Sequence, residues 1–554
     1  MRAYFLEGQP SHAVATRFGY TPGSFRVLCH EFRQDPTRPF FLASRQGPRP
    51  TPLRDRVREA IIALRTRNLS IYDISRALAT EGTPRSPVAV SLVLKAEGFD
   101  RLPRRPDEDR PVSTRRTAAA VADVRALDLA PRQFRTQFGG LFLFLPFLAQ
   151  LPVAAMLKTA GFPGTRMVPA EHAVRALLAL KLFGARRHSH VMAEVLDEGL
   201  ALFAGLNAIP KRSFLTEYSC RIRPESYPRL MQAWFDAVGR LGLGRGVSFD
   251  LDFHTIPFHG EDALVQKHYV SKRSRRQKGI LAFLAQDAGT RVFCYANAQV
   301  RKETQTDEVI RFVEFWKQRT GHDPEELIFD SRLTSYANLS RLNQRGIQFM
   351  TLRRRSPKLV AAIYRAPASA WRRIELEGVT RVYKTPRILD QRIRLQHYRG
   401  EIRQLAILDL GHEAPTLLLT NQLRRSPAKL IERYAQRMVI ENHIAEGINF
   451  FHMDALSSAV AMKVNCDLQL TLMASSLYRL LGTTVGNGYA EAKADHIFRD
   501  LVDATATVTI TASAIEVRFQ KRAHNPLLLA AGFDRMATAI PWLGGKSLRL
   551  IFGR

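Results

Sequence analysis

Three side chains late in the chain are the first that could do chemistry. Tyr434, Arg437 and Glu441 stand at i, i+3 and i+7, so on a helix they share one face. A phenol, a guanidinium and a carboxylate make an odd core stripe. They suit a phosphodiester and a metal ion better, because a planar guanidinium matches phosphate and carboxylate oxygens ligate Mg²⁺. A second set lies in Ser248-Phe-Asp250-Leu-Asp252-Phe-His254. The period of two of a strand puts Asp250, Asp252 and His254 on one face, and strands normally exclude Asp. A further acid, Asp330, directly follows the apolar Leu327-Ile-Phe329, at the carboxyl end of a short strand, where α/β sites form.

Phosphodiester hydrolysis and strand transfer pass through a crowded, highly charged phosphorus centre. Two Mg²⁺ ions about 4 Å apart can activate the attacking oxygen and stabilise the leaving one. Holding both takes about three carboxylates on rigid elements. The chain offers one acid of the Asp250/Asp252 pair, Asp330 and Glu441, at separations of 330 − 252 = 78 and 441 − 330 = 111. Each has a plainer reading. Asp330 could cap the next helix, Glu441 could only pair with Arg437, and His254 reads as a structural or DNA-contacting neighbour.

The elements that must position these acids follow from periodicity. At Gly246 the period changes from 3.6 to 2. Strands are predicted over Val247–Ile256, Ile280–Gln286, Arg291–Asn297, Leu327–Phe329 and Phe349–Leu352, with helices over Asp307–Arg319 and Tyr336–Asn343. Three antiparallel strands, then helix, strand, helix, strand, is the order of an RNase H-like fold. Four further runs, Leu376–Tyr383, Arg392–His397, Leu405–Leu408 and Thr416–Leu419, read as a β-rich insertion that accounts for the longer separation. Helical pattern then runs to about 481, and Ala506–Thr511 with Ala514–Gln520 predicts a hairpin.

Nearer the amino terminus, Ala15 to Gly19 and the Thr21-Pro22 start signal predict a helix-turn-helix, with Ser24, Arg26, His30 and Arg33 on its second helix. Ser70, Gly82 and Ser86-Pro87 predict another. The fold class is therefore multidomain α+β. The expected layout is a tandem helix-turn-helix DNA-binding region over 1–100, a Pro-rich charged linker over 101–117 and a helical domain over 118–244. An RNase H-like α/β catalytic core covers 245–355 and 425–485, interrupted by the β insertion over 356–424. The helical carboxy-terminal region passes into a hairpin-containing tail over 486–554.

With 82 Lys+Arg against 51 Asp+Glu, the net charge is +31. Such an excess points to a polyanionic partner. It is spread along the chain, not gathered on one amphipathic helix, which argues against a membrane surface. The most apolar run, Leu141–Leu157, holds two prolines and a Gln and reads as a buried helix pair, not a membrane span. Four scattered cysteines without C-x-x-C spacing argue against a disulfide framework or zinc ribbon. With no secretory signal read at the start, a cytoplasmic place on the bacterial nucleoid is expected. Nothing is similar to a P-loop, a dinucleotide glycine motif or a Ser-His-Asp site.

Tyr434-x2-Arg437-x3-Glu441, taken with the order of the acids, resembles the signature of insertion-sequence transposases of the DDE, RNase H-like superfamily, over roughly residues 245–480. The resemblance implies Asp252, not Asp250, as the first catalytic acid, because Asp-Phe-His at this place is similar to the family's stretch. It implies two Mg²⁺ ions, with Mn²⁺ as a substitute, held by Asp252, Asp330 and Glu441. It further implies double-stranded DNA as partner (inverted-repeat ends and target) and a homodimer or higher assembly on it. One departure stands out: seven residues after the Glu the family carries Lys, and this chain has Ile448. That phosphate contact would come from elsewhere, for instance Lys463 or Arg353-Arg354-Arg355. Candidate DNA contacts are Tyr434, Arg437, the cluster Lys272, Arg273, Arg275, Arg276 and Lys278, the run Arg353 to Arg355, and Arg26 and Arg33. The rival readings are a non-catalytic, domesticated DNA-binding protein and an RNase H-like nuclease that cuts without joining.

Overall fold

A computed structural model describes residues 1–37, 52–102, 121–243, 246–258, 265–270, 275–331, 333–377, 384–411, 414–454 and 461–553. Most of the expected linker, from 103 to 117, lies outside the described residues. The chain divides into two compact units, Met1–Thr117 and Ala118–Arg554.

In the first unit, helix starts fall where side chains can cap them. Thr21 accepts from the Ser24 N–H (3.2 Å) ahead of the Pro22–Gln34 helix. Ser70 and Asp73 form a reciprocal capping box on Ile71–Thr80, and Ser86 caps Pro87–Ala96. Gly19 and Gly82, at φ +74° and +75°, make the left-handed turns between helices, a conformation glycine adopts without strain. Val14, Ala15, Phe25 and Cys29 close one small core, and Val57, Ile61, Ile74, Leu78, Val90 and Leu94 another.

The all-helical expectation for 118–244 fails at β1 (Arg132–Thr136), a five-residue strand whose partner lies far along the chain. The expected helix pair is present: Gly139–Leu148, buried throughout, and Val153–Ala160, buried on one face, meet at 73°. Among the described residues no single helix is long and apolar enough to cross a membrane.

The central sheet follows. Its strands are β2 (Ser248–Pro257), β3 (Gln266–Val270), β4 (Arg275–Asp287), β5 (Phe293–Val300), β6 (Glu326–Phe329) and β7 (Gln348–Leu352). The order β5-β4-β2-β6-β7, with β5/β4 and β4/β2 antiparallel and β2/β6 and β6/β7 parallel, is the RNase H-like topology. Phe249 of β2 packs on Phe312 and Trp316 of the Glu308–Thr320 helix (ring centroids 5.2 and 4.3 Å). β3 is absent from the periodicity reading, and β4 begins five residues before the expected Ile280. These runs are mostly polar, and the strand partner of Arg275–Lys278 is β3 alone, so no apolar alternation announces them.

The insertion does not form a separate sheet. β8 (Trp371–Arg373), β9 (Arg387–Ile393), β10 (Ile402–Leu408) and β11 (Thr416–Thr420) extend the central one from β7 in the order β7-β11-β10-β9-β8. The expected strand Leu376–Tyr383 falls largely on 378–383, outside the described residues. β9 lies earlier than expected, because residues 387–393 are those that register against β10.

The long Ala461–Val485 helix ties the unit together. Its Gln469 donates to the Ala296 carbonyl of β5 (3.1 Å) and its Asp467 pairs with Lys181 (2.8 Å). Its Ser476 accepts from Trp234 Nε1 (2.9 Å). The tail hairpin is β12 (Ala506–Ile510) with β13 (Ala514–Phe519). β14 (Thr538–Ala539) and β15 (Ser547–Phe552) complete a second sheet, β1-β12-β13-β15-β14.

Candidate active site

The site is built where two periodicities match. β2 and β6 run parallel with Leu251 opposite Phe329 as their last pair. Asp252 and Asp330 are each the next residue, so the two acids come level at the same end of the sheet. The helices that carry Arg433, Arg437 and Glu441 cross this end. One helical turn of four residues advances about 6 Å, and two strand residues advance about 6.6 Å. Arg433 accordingly meets Asp250 (Nη2 to Oδ1, 3.0 Å) and Arg437 meets Asp252 (Nη1 to Oδ2, 3.4 Å). Both aspartates thus face the same side, as the period of two requires.

The expected single helix through Tyr434, Arg437 and Glu441 is in fact two, Pro427–Gln436 and Met438–Asn449, joined at Arg437. The joint tightens by three-residue hydrogen bonds, Arg437 N–H to Tyr434 O (3.2 Å) and Ile440 N–H to Arg437 O (3.0 Å). It keeps Arg437 and Glu441 one turn apart, and the guanidinium donates to Glu441 Oε1 (3.1 Å).

Asp252, Asp330, Arg437 and Glu441 line one open cleft of about 530 Å³. Lys267 and His268 of β3, Arg276 of β4, and Lys302 and Gln305 after β5 line it with them. Asp250 does not. It is sealed beneath Arg433, which also holds Ser248 Oγ (2.9 Å) and Glu326 (2.9 Å).

Burial raises both carboxyls, that of Asp250 against the pull of Arg433. Burial pushes the Asp252 carboxyl up to about 6. Arg437 and the Phe253 N–H pull against that, while Glu441 and Asp330 add to it. Three acids close enough to repel one another form a site that a divalent cation would relieve. Burial would raise Glu326, yet its bonds to Ser248, Arg433 and Gln422 leave it below its usual value. His268 is lowered to about 4 by burial and by Lys302, so it is neutral at pH 7. Among the described residues no group of three or more His, Cys, Asp or Glu is gathered closely enough to hold a metal ion. Arg437 stands between Asp252 and Glu441. The three acids match Mg²⁺ in the chemistry of their donors, all hard carboxylate oxygens.

The other candidates fall as follows. Tyr434 lies half-buried against the small core of Ile328, Met350, Leu405, Leu418 and Leu430, with the Arg437 guanidinium 5.7 Å above its ring. This placement supports Arg437 from behind. Arg276 and Lys278 are exposed, and Arg276 is in the cleft wall. Lys272 and Arg273 lie outside the described residues, as does the side chain of Arg275. Arg353 to Arg355 follow β7 at the same sheet end as Asp330 but do not line the cleft, and Arg353 donates to Gln404 (2.6 Å). Arg26 and Arg33 are exposed on their helix in the first unit. His254 is not in the lining, and Ile448, at the position of the family Lys, packs against the main core. Lys267, Lys302 and Gln305 went unnoticed in the sequence. The one available signal was that Lys302 closely follows a predicted strand.

The topology and the acids define the class: an RNase H-like core with three carboxylates lining one cleft. The particular family follows from comparison. Residues 245–477 match the family described as Transposase DDE domain, so the resemblance to DDE transposases is borne out over that stretch. One similar solved structure is a chain of the "Cryo-EM structure of piggyBac transposase synaptic complex with hairpin DNA". It is 10% identical with a TM-score of 0.37, and the match covers 67% of this chain and 81% of that one. No curated protein matches this chain.

Proposed function

We propose that this chain is an insertion-sequence transposase that cuts and joins the ends of its element at Asp252, Asp330 and Glu441. The observation that carries the reading is that acids from a mid-strand position, a strand end and a late helix line one cleft whose other wall is basic. Asp252, Asp330 and Glu441 would hold two Mg²⁺ ions, for which Mn²⁺ can substitute. Bound there, the ions supply activation of the attacking oxygen and charge stabilisation at the leaving one. The chain itself positions the DNA. Lys267, Arg276 and Lys302 offer cations to backbone phosphates on the side opposite the acids. Arg437, beside Asp252 and Glu441, would present its fork to a phosphate oxygen. Among the described residues the cleft lining holds no Ser, Tyr or Cys. This favours direct attack by water and then by a freed 3′-hydroxyl, with no covalent protein–DNA intermediate.

Ends must be paired for coordinated cutting, so the working form is a dimer or higher assembly on DNA. The amino-terminal helical units, with Arg26 and Arg33 exposed, would recognise the inverted repeats. Their expected site of action is the bacterial nucleoid. The test is Mg²⁺-dependent cleavage and joining of DNA carrying the element's own ends, by the parent and by Asp252→Ala. Cleavage without joining would reduce the reading to a nuclease. Equal cleavage by both proteins would remove the catalytic assignment.

A further inference from the structure

Behind the cleft lies a second charge cluster that the proposed chemistry does not use. Arg433 sits at its centre, nine-tenths buried. Its Nε donates to Glu326 Oε2 (2.9 Å), and its Nη2 donates to Ser248 Oγ (2.9 Å) and Asp250 Oδ1 (3.0 Å). Glu326 is held further by Gln422 (3.0 Å), by Arg425 (3.0 Å) and by the Ser248 hydroxyl (2.7 Å).

These partners are not scattered. Ser248 and Asp250 are the residues four and two before Asp252 on β2. Glu326 is four before Asp330 on β6. Arg433 is itself four before Arg437 and eight before Glu441. One guanidinium therefore joins β2 and β6, close to Asp252 and Asp330, to the Pro427–Gln436 helix, which passes through the joint at Arg437 into the helix that carries Glu441. Ser248 and Glu326 are opposite one another in the parallel register, so the fork also bridges that pair across β2 and β6.

The cost of the arrangement argues for a purpose. Buried ion pairs are poor devices for stability alone, since desolvation consumes most of the attraction, and apolar replacements often do as well. A planar fork with fixed directions, in contrast, sets distances and angles. Sub-ångström placement of carboxylates matters most where they must converge on cations.

We infer that Arg433 is the positioning residue of this site: it ties β2 and β6 to the Pro427–Gln436 helix in the register that brings Asp252, Asp330 and Glu441 to one cleft. The inference rests on the proposed reading of the acids as metal ligands. Arg433 touches neither the cleft nor DNA, and it acts only through Asp250, Ser248 and Glu326.

The experiment measures Mn²⁺ binding by calorimetry on the full-length, DNA-free protein, together with thermal melting and single-turnover cleavage. It compares parent, Asp252→Ala, Arg433→Lys and Glu326→Gln. Lysine keeps the charge and loses the fork. Arg433→Lys is expected to weaken Mn²⁺ binding by about tenfold or more, the loss typical of removing a group that orients metal ligands. Cleavage should be recovered in part at high Mn²⁺, with unchanged affinity for end DNA. Glu326→Gln keeps the shape and should shift Mn²⁺ affinity in the same direction by less, so the inference stays testable even where Arg433→Lys does not fold. A purely structural arginine would lower the melting temperature and leave the folded fraction binding Mn²⁺ as the parent does, and that result overturns the inference. Asp252→Ala separates the two failures. If it abolishes Mn²⁺ binding while Arg433→Lys and Glu326→Gln bind like the parent, only the role of Arg433 falls. If Asp252→Ala binds and cuts like the parent, the reading of the acids falls with it.

Discussion

Asp250 and Asp252 are two residues apart on the same face of the same strand, each opposite an arginine of the same helical ladder, yet they live in different chemistry. Asp250 is closed in by a fork that also satisfies Ser248 and Glu326. Asp252 has a longer contact to its arginine, 3.4 Å, and two acidic neighbours at the mouth of a cleft. What separates them is what surrounds each pair. The inner one has every nearby carboxylate matched to a donor. The outer one has three carboxylates around a single guanidinium, with Lys267, Arg276 and Lys302 elsewhere in the same cleft lining.

The largest expected effect tests this contrast directly. Asp252→Ala, Asp330→Ala and Glu441→Ala should each reduce Mg²⁺-dependent cleavage of end DNA to background. Folding and DNA binding should survive, because removing a like charge from an acidic cluster relieves repulsion. Chelation of divalent ions should have the same effect on the parent. If Asp250→Asn abolishes cleavage and Asp252→Ala does not, the roles of the pair are reversed.

At the inner pair the loss should appear as stability instead. Asp250→Ala leaves Arg433 short of a buried partner and should cost about 3 kcal/mol in denaturant unfolding. A change within experimental error would mean that the inner cluster is not the closed ion network described.

Arg437→Lys probes the boundary between the two regions. Lysine retains the charge beside Asp252 and Glu441 but not the fork, so DNA should bind almost normally while single-turnover cleavage slows by about tenfold or more. Lower melting temperature with parental cleavage by the folded fraction would make Arg437 a second Arg433, a buried counterion with no phosphate to hold.

The smallest effects belong to the basic wall. Lys267→Ala and Lys302→Ala should each weaken binding to specific and random duplex alike, and each should lower the slope of log affinity against log salt by about 1. An unchanged slope for both would place the DNA elsewhere on the chain.

Much of this site was legible because it depends on local periodicity. An acid in mid-strand, an acid after a short apolar strand and an acid on a late helix are patterns of spacing. The helix starts at Thr21, Ser70 and Ser86 are likewise caps made by neighbours in sequence. The reading failed where partners are distant. β3 and the first residues of β4 are mostly polar strands registered against each other, and the break at Arg437 shows only in the backbone. β1 is held by β12, some 370 residues further on. The insertion's patterned runs were visible, but not that they would continue the sheet from β7.

By itself, then, the sequence determined the kinds of groups available, the strand phase that turns Asp250 and Asp252 to one side, and the order of elements that makes an RNase H-like core. The tertiary structure alone decided which of the two aspartates opens on a cleft, because that depends on where Arg433 and Arg437 arrive. It alone brought Lys267 and Lys302 to face the acids. Side-chain type and period are local properties of the chain, whereas charge balance in a buried site is set by whatever distant residues the packed fold brings within a few ångströms.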